Sequence, residues 1–235
     1  MIIRADSIAI SQVAHAELTE RLARQLDFQR WGIPQPPELW FQALSRHDDG
    51  WLMWDRNPEI NPETGHWYNF LDLPVSAHLD IWHRSVDLAE GLHPATAWWI
   101  SRHVMKLFEM HEWSSETREQ REKAEVFKSN QLLKQQQTQS VIGQFPGYQL
   151  LDYLLAECDW LSLALCMGVE QTTILPAYSG KTEGLSLYNN SDKVHIFPWP
   201  FRKKELNPTI EAFDTTDKSD TRLKTLQWHI RPENQ

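Results

Sequence analysis

Three things are scarce in this sequence of 235 residues, and each scarcity closes a door. Cysteine occurs twice, as Cys158 and Cys166, inside one apolar segment. That count excludes a disulfide-stapled scaffold, and the two thiols are expected to be reduced core residues in a reducing compartment. No stretch reaches the roughly 18 apolar residues of a membrane span, and Met1-Ile2-Ile3-Arg4-Ala5-Asp6 contains no long apolar run. Neither a membrane segment nor a secretory signal is expected, and the predicted location is cytoplasmic. Positive charge is also short: the net charge is -9 at pH 7, which argues against nucleic-acid and membrane partners. A small anionic substrate stays compatible, because a bound metal or a local arginine reverses the field.

What is present describes a globular protein with 41% hydrophobic and 23% charged residues, long enough to bury a substantial core. No internal repeat is visible, and one domain over 1–235 is expected. Its helical core would span 12–170, with a β-rich appendage from 1–11 and 171–235. A homo-oligomer is compatible with these features. Twelve tryptophans and ten histidines are the unusual numbers, and the tryptophans suggest a bulky core with an aromatic-lined pocket.

Apolar periodicity predicts about six helices. The first is capped by Ser11 and runs to about Phe28, and the second opens at Pro37 and reaches His47-Asp48. The third starts at Pro74 and the fourth at Pro94. The fifth, capped by Ser114-Ser115, runs to about Gln139 and is so polar that a solvated arm or lid is its default reading. The sixth, Tyr148 to Gly168, is apolar nearly all round and should be central. Ile2-Ile3, Ile8-Ala9-Ile10, Lys193–Phe197 and Thr225–Ile230 alternate like strands and are expected to share one small sheet. The irregular aromatic stretch from Trp51 to Leu73 reads either as a pocket wall or as a self-packed surface loop.

Four polar residues stand where apolar ones belong. Asp159 lies among Leu155, Ala156, Ser162 and Leu163, where an ionised carboxylate is costly unless something pairs it. His103 shares a face with Trp99, Ile100 and Leu107. His78 shares one with Val75, Ile81 and Trp82, and His15 sits in the Leu18-Leu22 stripe. Each alone suits a hydrogen-bonded core residue. Together they offer the nitrogen and oxygen donors that iron, manganese or zinc take. His47-Asp48 adds a dyad. Consecutive helical residues diverge by about 100°, so they ligate one ion together only at a helix end, which Asp49-Gly50 supplies; alternatively the Asp bridges two ions while the His binds one.

The order of these residues resembles the HD-domain superfamily: His15, then His47-Asp48, then His78 and His103, then Asp159 within Cys158-Asp159-Trp160-Leu161-Ser162-Leu163. More narrowly, His47-Asp48-Asp49-Gly50-Trp51, Asn69-Phe70-Leu71-Asp72-Leu73-Pro74 and Ser101-Arg102-His103 resemble an uncharacterised bacterial family of domain-of-unknown-function type. The superfamily likeness implies a mainly α, HD-domain-like helical bundle with a small β-sheet, and a centre of two divalent transition ions. His15, His47, Asp48 and Asp159 would hold the first. His78 and His103 would hold the second, with Asp48 bridging and His83 as the rival of His78. Where the best-known signalling phosphodiesterases carry Gly-Lys after the dyad, this chain has Asp49-Gly50-Trp51, which argues against cyclic-dinucleotide hydrolysis.

Two chemistries fit that centre. The first is phosphohydrolysis of a small phosphorylated metabolite or nucleotide by an ion-activated water. Asp48 and Asp49 would then handle protons, and Arg102, or else Arg46 or Arg84, would contact phosphate. The second is oxidation of a polyol or phosphonate at a di-iron site. A non-catalytic metal- or ligand-binding protein is the reading from a third class.

Overall fold

In the computed structural model, described for residues 1–29, 32–174, 184–190, 193–216 and 222–233, six long helices and two short ones make up about half of the protein. Ser11 caps α1 (Gln12–Ala23), accepting from the Ala14 amide at 3.0 Å. This helix stops earlier than its periodicity predicts, and Leu26 beyond it bridges to Phe201. Next come α2 (Glu38–Arg46) and the single turn α3 (Leu52–Arg56). The pair α4 (Val75–Glu90) and α5 (Pro94–Met110) follows, with Pro94 at the start of α5, where its missing amide costs nothing.

The polar helix α6 (Arg118–Gln137) is capped by Thr117 in a reciprocal box with Gln120, not by Ser114-Ser115, which lie in a preceding 3-10 turn. Nor is α6 a solvated arm. Ala124, Phe127, Gln131 and Gln135 are buried, and Phe127 stacks on Phe108 at 5.7 Å. Ser101 donates to Gln131 Oε1 and accepts from Gln135 Nε2, both at 2.9 Å. Glutamines read as solvent-facing are thus bonded inside, through Gln131 Oε1 and Gln135 Nε2, each bond worth about 0.5–1.5 kcal/mol net. A short α7 (Gln139–Ile142) leads to α8 (Tyr148–Met167), bounded by Gly147 and Gly168, both left-handed with φ 72°.

The strands form two four-stranded sheets where one was expected. In the first, β1 (Ile2–Ile3) and β2 (Ile8–Ile10) pair in a hairpin, and β2 then pairs with β6 (Thr209–Asp214), flanked by β7 (Arg222–Gln227). The second comes wholly from the C-terminal part: β3 (Gln171–Ile174), β4 (Leu185–Asn190), β5 (Lys193–Phe197) and β8 (His229–Pro232). Its β8 runs parallel to β5, and the other pairings are antiparallel. Lys193–Phe197 therefore does not join the N-terminal hairpin.

Two large apolar cores result, beside a small cluster of Trp51, Leu73 and Ile81, and α8 serves both large ones. Leu151, Leu154, Leu155 and Cys158 pack with α2, α4, α5 and Phe127 of α6. Leu161, Ala164, Leu165 and Cys166 pack with α1 and the sheets. Both cysteines are free and buried. Trp40, Trp99 and Trp228 are fully buried, and the indole nitrogens of the first two donate to the carbonyls of Leu151 and Tyr148. Asp159 falls at the seam between the cores. No helix among the described residues is long and apolar enough to cross a membrane.

Candidate metal centre

Asp159 is 6% exposed, on a helix whose neighbouring side chains are apolar. Histidines gather on it. From α1, His15 Nε2 lies 2.7 Å from Asp159 Oδ1. From the end of α2, His47 Nε2 lies 3.1 Å from the same oxygen. From α5, His103 Nε2 stands 3.6 Å from Oδ2. The His47 ring meets those of His15 and His103 edge-on, with centroids at 5.6 and 5.1 Å. The dyad stands where α2 ends: Arg46 is the last helical residue, His47 follows, and Asp48 departs to φ -107°, ψ 15°. That departure turns Asp48 back, with Oδ2 3.5 Å from His47 Nε2.

The neighbouring Gly50 explains how the dyad is held. A Cβ on Gly50 would fall 2.1 Å from the Ile81 carbonyl oxygen on α4, and its amide donates to Ser85 Oγ at 3.0 Å. Only glycine allows so close an approach. Asp55 of α3 ties the next layer. Its Oδ2 accepts from the Gln12 amide at 2.8 Å, at the start of the helix that bears His15, and its Oδ1 lies 3.4 Å from the Met1 amino group.

The outer nitrogens of two histidines are committed elsewhere. His47 Nδ1 donates to the Leu44 carbonyl at 2.7 Å. His15 Nδ1 meets Ser162 Oγ at 2.9 Å, and that hydroxyl donates to the His15 carbonyl at 3.1 Å. A carbonyl only accepts, so His47 carries a hydrogen on Nδ1 and turns Nε2 toward Asp159. The electrostatics follow. Burial opposes the His47 charge, but Asp48 and the bonded Asp159 outweigh it and raise its pKa to about 9. Burial likewise opposes the Asp159 carboxylate, yet the bonds from His15 and His47 hold it well below its ordinary range. His103 has burial dominating, which pushes it down to about 3 and keeps it neutral. Its Nδ1 is buried with no hydrogen-bond partner. Burial raises Asp48, with His47 and His15 opposing.

The expected site residues thus divide. His15, His47 and Asp159 place donor atoms within 4.8 Å of one another, a group able to hold a metal ion, with His103 and Asp48 at its margin. His78 stands apart: its Nε2 donates to the Phe70 carbonyl at 2.8 Å and its ring stacks on Trp82. His83 is exposed on α4 beside Asp87. Asp49 is engaged by Arg46. Arg102, the expected phosphate contact, is 3.2 Å from Asp152 and lies over Trp98. The aromatic stretch divides too. Trp51 is buried, whereas Trp67 lines a cavity of about 360 Å³ with Ile3, Arg4, His66 and Asn69, a lining that contains none of the clustered residues.

Ser162, Ser85 and Asp55 were not singled out as site residues. Ser162 had a signal, a hydroxyl one turn beyond Asp159 on an apolar helix. Asp55 had none, since it lies in an irregular aromatic stretch.

Over residues 1–215 the chain matches the model of a family described as "Protein of unknown function (DUF3891)", and it belongs to that family. No curated protein and no solved structure matches it.

Proposed function

We propose that the protein is a metal-dependent hydrolase of HD-domain type that acts on a small phosphorylated metabolite. A single divalent transition ion would be held by His15, His47 and Asp159 and completed by Asp48. One observation carries this reading: His15 and His47 turn Nε2 toward one buried carboxylate oxygen while their Nδ1 atoms are occupied from behind. Metal-ligating histidines are oriented in this way, by an outer partner that fixes the ring and its tautomer. Adjacent ligands at metal distances of about 2.0–2.2 Å lie roughly 3 Å apart, and the 2.7 and 3.1 Å separations come close to that. Imidazole and carboxylate donors suit zinc, iron or manganese.

An ion bound there supplies Lewis-acid activation of a water for attack on phosphorus. The chain supplies the rest. Asp159 and His47 fix the donors, and Asp48, with a side chain 13% exposed, borders solvent and is placed to accept a proton. The neutral His103 imidazole adds a donor without adding charge. One ion is favoured over the pair that the superfamily likeness implied, because the Phe70 carbonyl holds His78 away. That same contact disfavours the di-iron oxygenase.

Elemental analysis of protein purified without chelator tests this. About one equivalent of zinc, iron or manganese per chain is expected, absent from the Asp48→Ala variant, together with phosphate release from generic phosphoesters. Protein that stays metal-free after dialysis against each ion would sink the reading.

A further inference from the structure

We propose that Ser162 is a positioning residue that decides which nitrogen of His15 is left free for a metal. This rests on the metal reading above. His47 has a hydrogen fixed on Nδ1 by a backbone carbonyl, which offers no choice. His15 faces a hydroxyl, which both donates and accepts, so its tautomer depends on where the single hydroxyl proton goes.

The surroundings decide. Ser162 is fully buried, and its Oγ lies 3.1 Å from the His15 carbonyl oxygen, an acceptor only. The hydroxyl proton is spent there. Its oxygen can then only accept from His15 Nδ1 at 2.9 Å, so Nδ1 carries a hydrogen. The Cys166 thiol lies within reach of the same hydroxyl but, with burial raising its pKa to about 12, it stays protonated and brings no competing charge. Asp159 and Ser162 stand one turn apart on α8 and bracket the His15 ring, one at each nitrogen.

Without the hydroxyl, a hydrogen on Nδ1 would be buried with no acceptor, which is unfavourable. Nδ1 would then go without its hydrogen, and the hydrogen that Nε2 gives to Asp159 Oδ1 across 2.7 Å could make way for a metal only by moving to an Nδ1 that has no acceptor. A hydrogen on Nε2 occupies the direction a metal needs. Ser162→Ala removes one oxygen and little volume, so it is expected to fold, while the metal site would lose its poise.

The test pairs two readouts on the full chain. Nitrogen NMR of isotope-labelled histidine, assigned with a His15→Asn control, reports the tautomer in metal-free protein. Hydrogen on Nδ1 is expected in the parent and is expected to be missing in Ser162→Ala, which keeps hydrogen on Nε2 alone. Titration with Zn2+ alone should show affinity reduced by roughly 10- to 100-fold in the variant. An unchanged His15 spectrum in Ser162→Ala would overturn the proposal, as would an affinity within threefold of the parent. A parent that binds no zinc yet shows the tautomer change refutes the metal reading and leaves the Ser162 assignment standing.

Discussion

Helix α8 buries two aspartates two turns apart, and they are answered in different ways. Asp152 is 2% exposed and is met by permanent cations: Lys106 Nζ at 2.6 Å and Arg102 Nε at 3.2 Å. Asp159 is 6% exposed and, among the described residues, is met by imidazole nitrogens alone. The first arrangement is closed, because its carboxylate is neutralised with nothing added. The second is complete only when something positive enters between Asp159 and the histidines, either a proton or a metal ion. Burial and charge count alone would not separate them; the identity of the counter-charge does.

The sharpest way to break this comparison is to neutralise each aspartate in turn. Asp159→Asn is expected to abolish metal uptake, while Asp152→Asn retains it. Metal-free stability should run the other way. Asp152→Asn strands Lys106 and Arg102, at the lower end of about 3–5 kcal/mol, because Arg102 is 36% exposed and solvent-screened. Asp159→Asn should cost less, since imidazoles can shed their protons. Metal content and thermal melts in chelator decide it, and equal behaviour of the two variants would erase the distinction.

A middle-sized effect is expected at Gly50. Gly50→Ala drives a methyl into the Ile81 carbonyl and must push the dyad away from α4. A loss of about 1–3 kcal/mol should accompany weakened zinc binding in calorimetry. A stability loss with unchanged affinity would show that α4 does not hold His47-Asp48 in place.

The smallest effect concerns Glu157, which lies between the two aspartates in sequence. Burial, opposed by Lys106, raises its pKa to about 7 from the ordinary 4.5, and it lines an apolar cavity with Leu154 and Leu161. A raised folded pKa means that the fold holds the proton more tightly than the open chain does. Stability from this group is therefore present below pH 4.5 and is lost as the pH rises through 7. Glu157→Gln should melt above the parent at pH 8 and converge with it at pH 4.5. A gap of the same size at both pH values would refute this assignment.

Much of the helical frame was legible in the sequence, because apolar stripes and Pro or Ser starts mark helices locally. The inward histidines and Asp159 were legible for the same reason, as polar residues on apolar faces of separate helices. Their partners were not. A helical face shows that His78 is turned inward but not that a carbonyl from an irregular segment waits for it. Adjacency to His103 suggested Arg102, yet consecutive helical residues diverge by about 100°, and Arg102 goes to Asp152. The docking of α6 was hidden because a buried glutamine and an exposed one look alike until Ser101 is placed between them. The second sheet was missed because alternation identifies strands without naming their neighbours.

The pairing of β2 with β6 carries a consequence for how the chain is made. Ser7 beside β2 accepts from Thr215 beside β6, 208 positions away, and Ile8 and Ala9 pair with Asp214 and Phe213. During synthesis the N-terminal hairpin emerges first, with the β2 edge that β6 will cover still open. The α1 helix and its His15 can form before β6 is made, whereas the sheet beneath them closes only once β6, about 200 positions later, has left the ribosome. Folding of such long-range topology is slow, and an open strand edge invites pairing with other chains. Aggregation of nascent or truncated chains is therefore the hazard that this architecture carries.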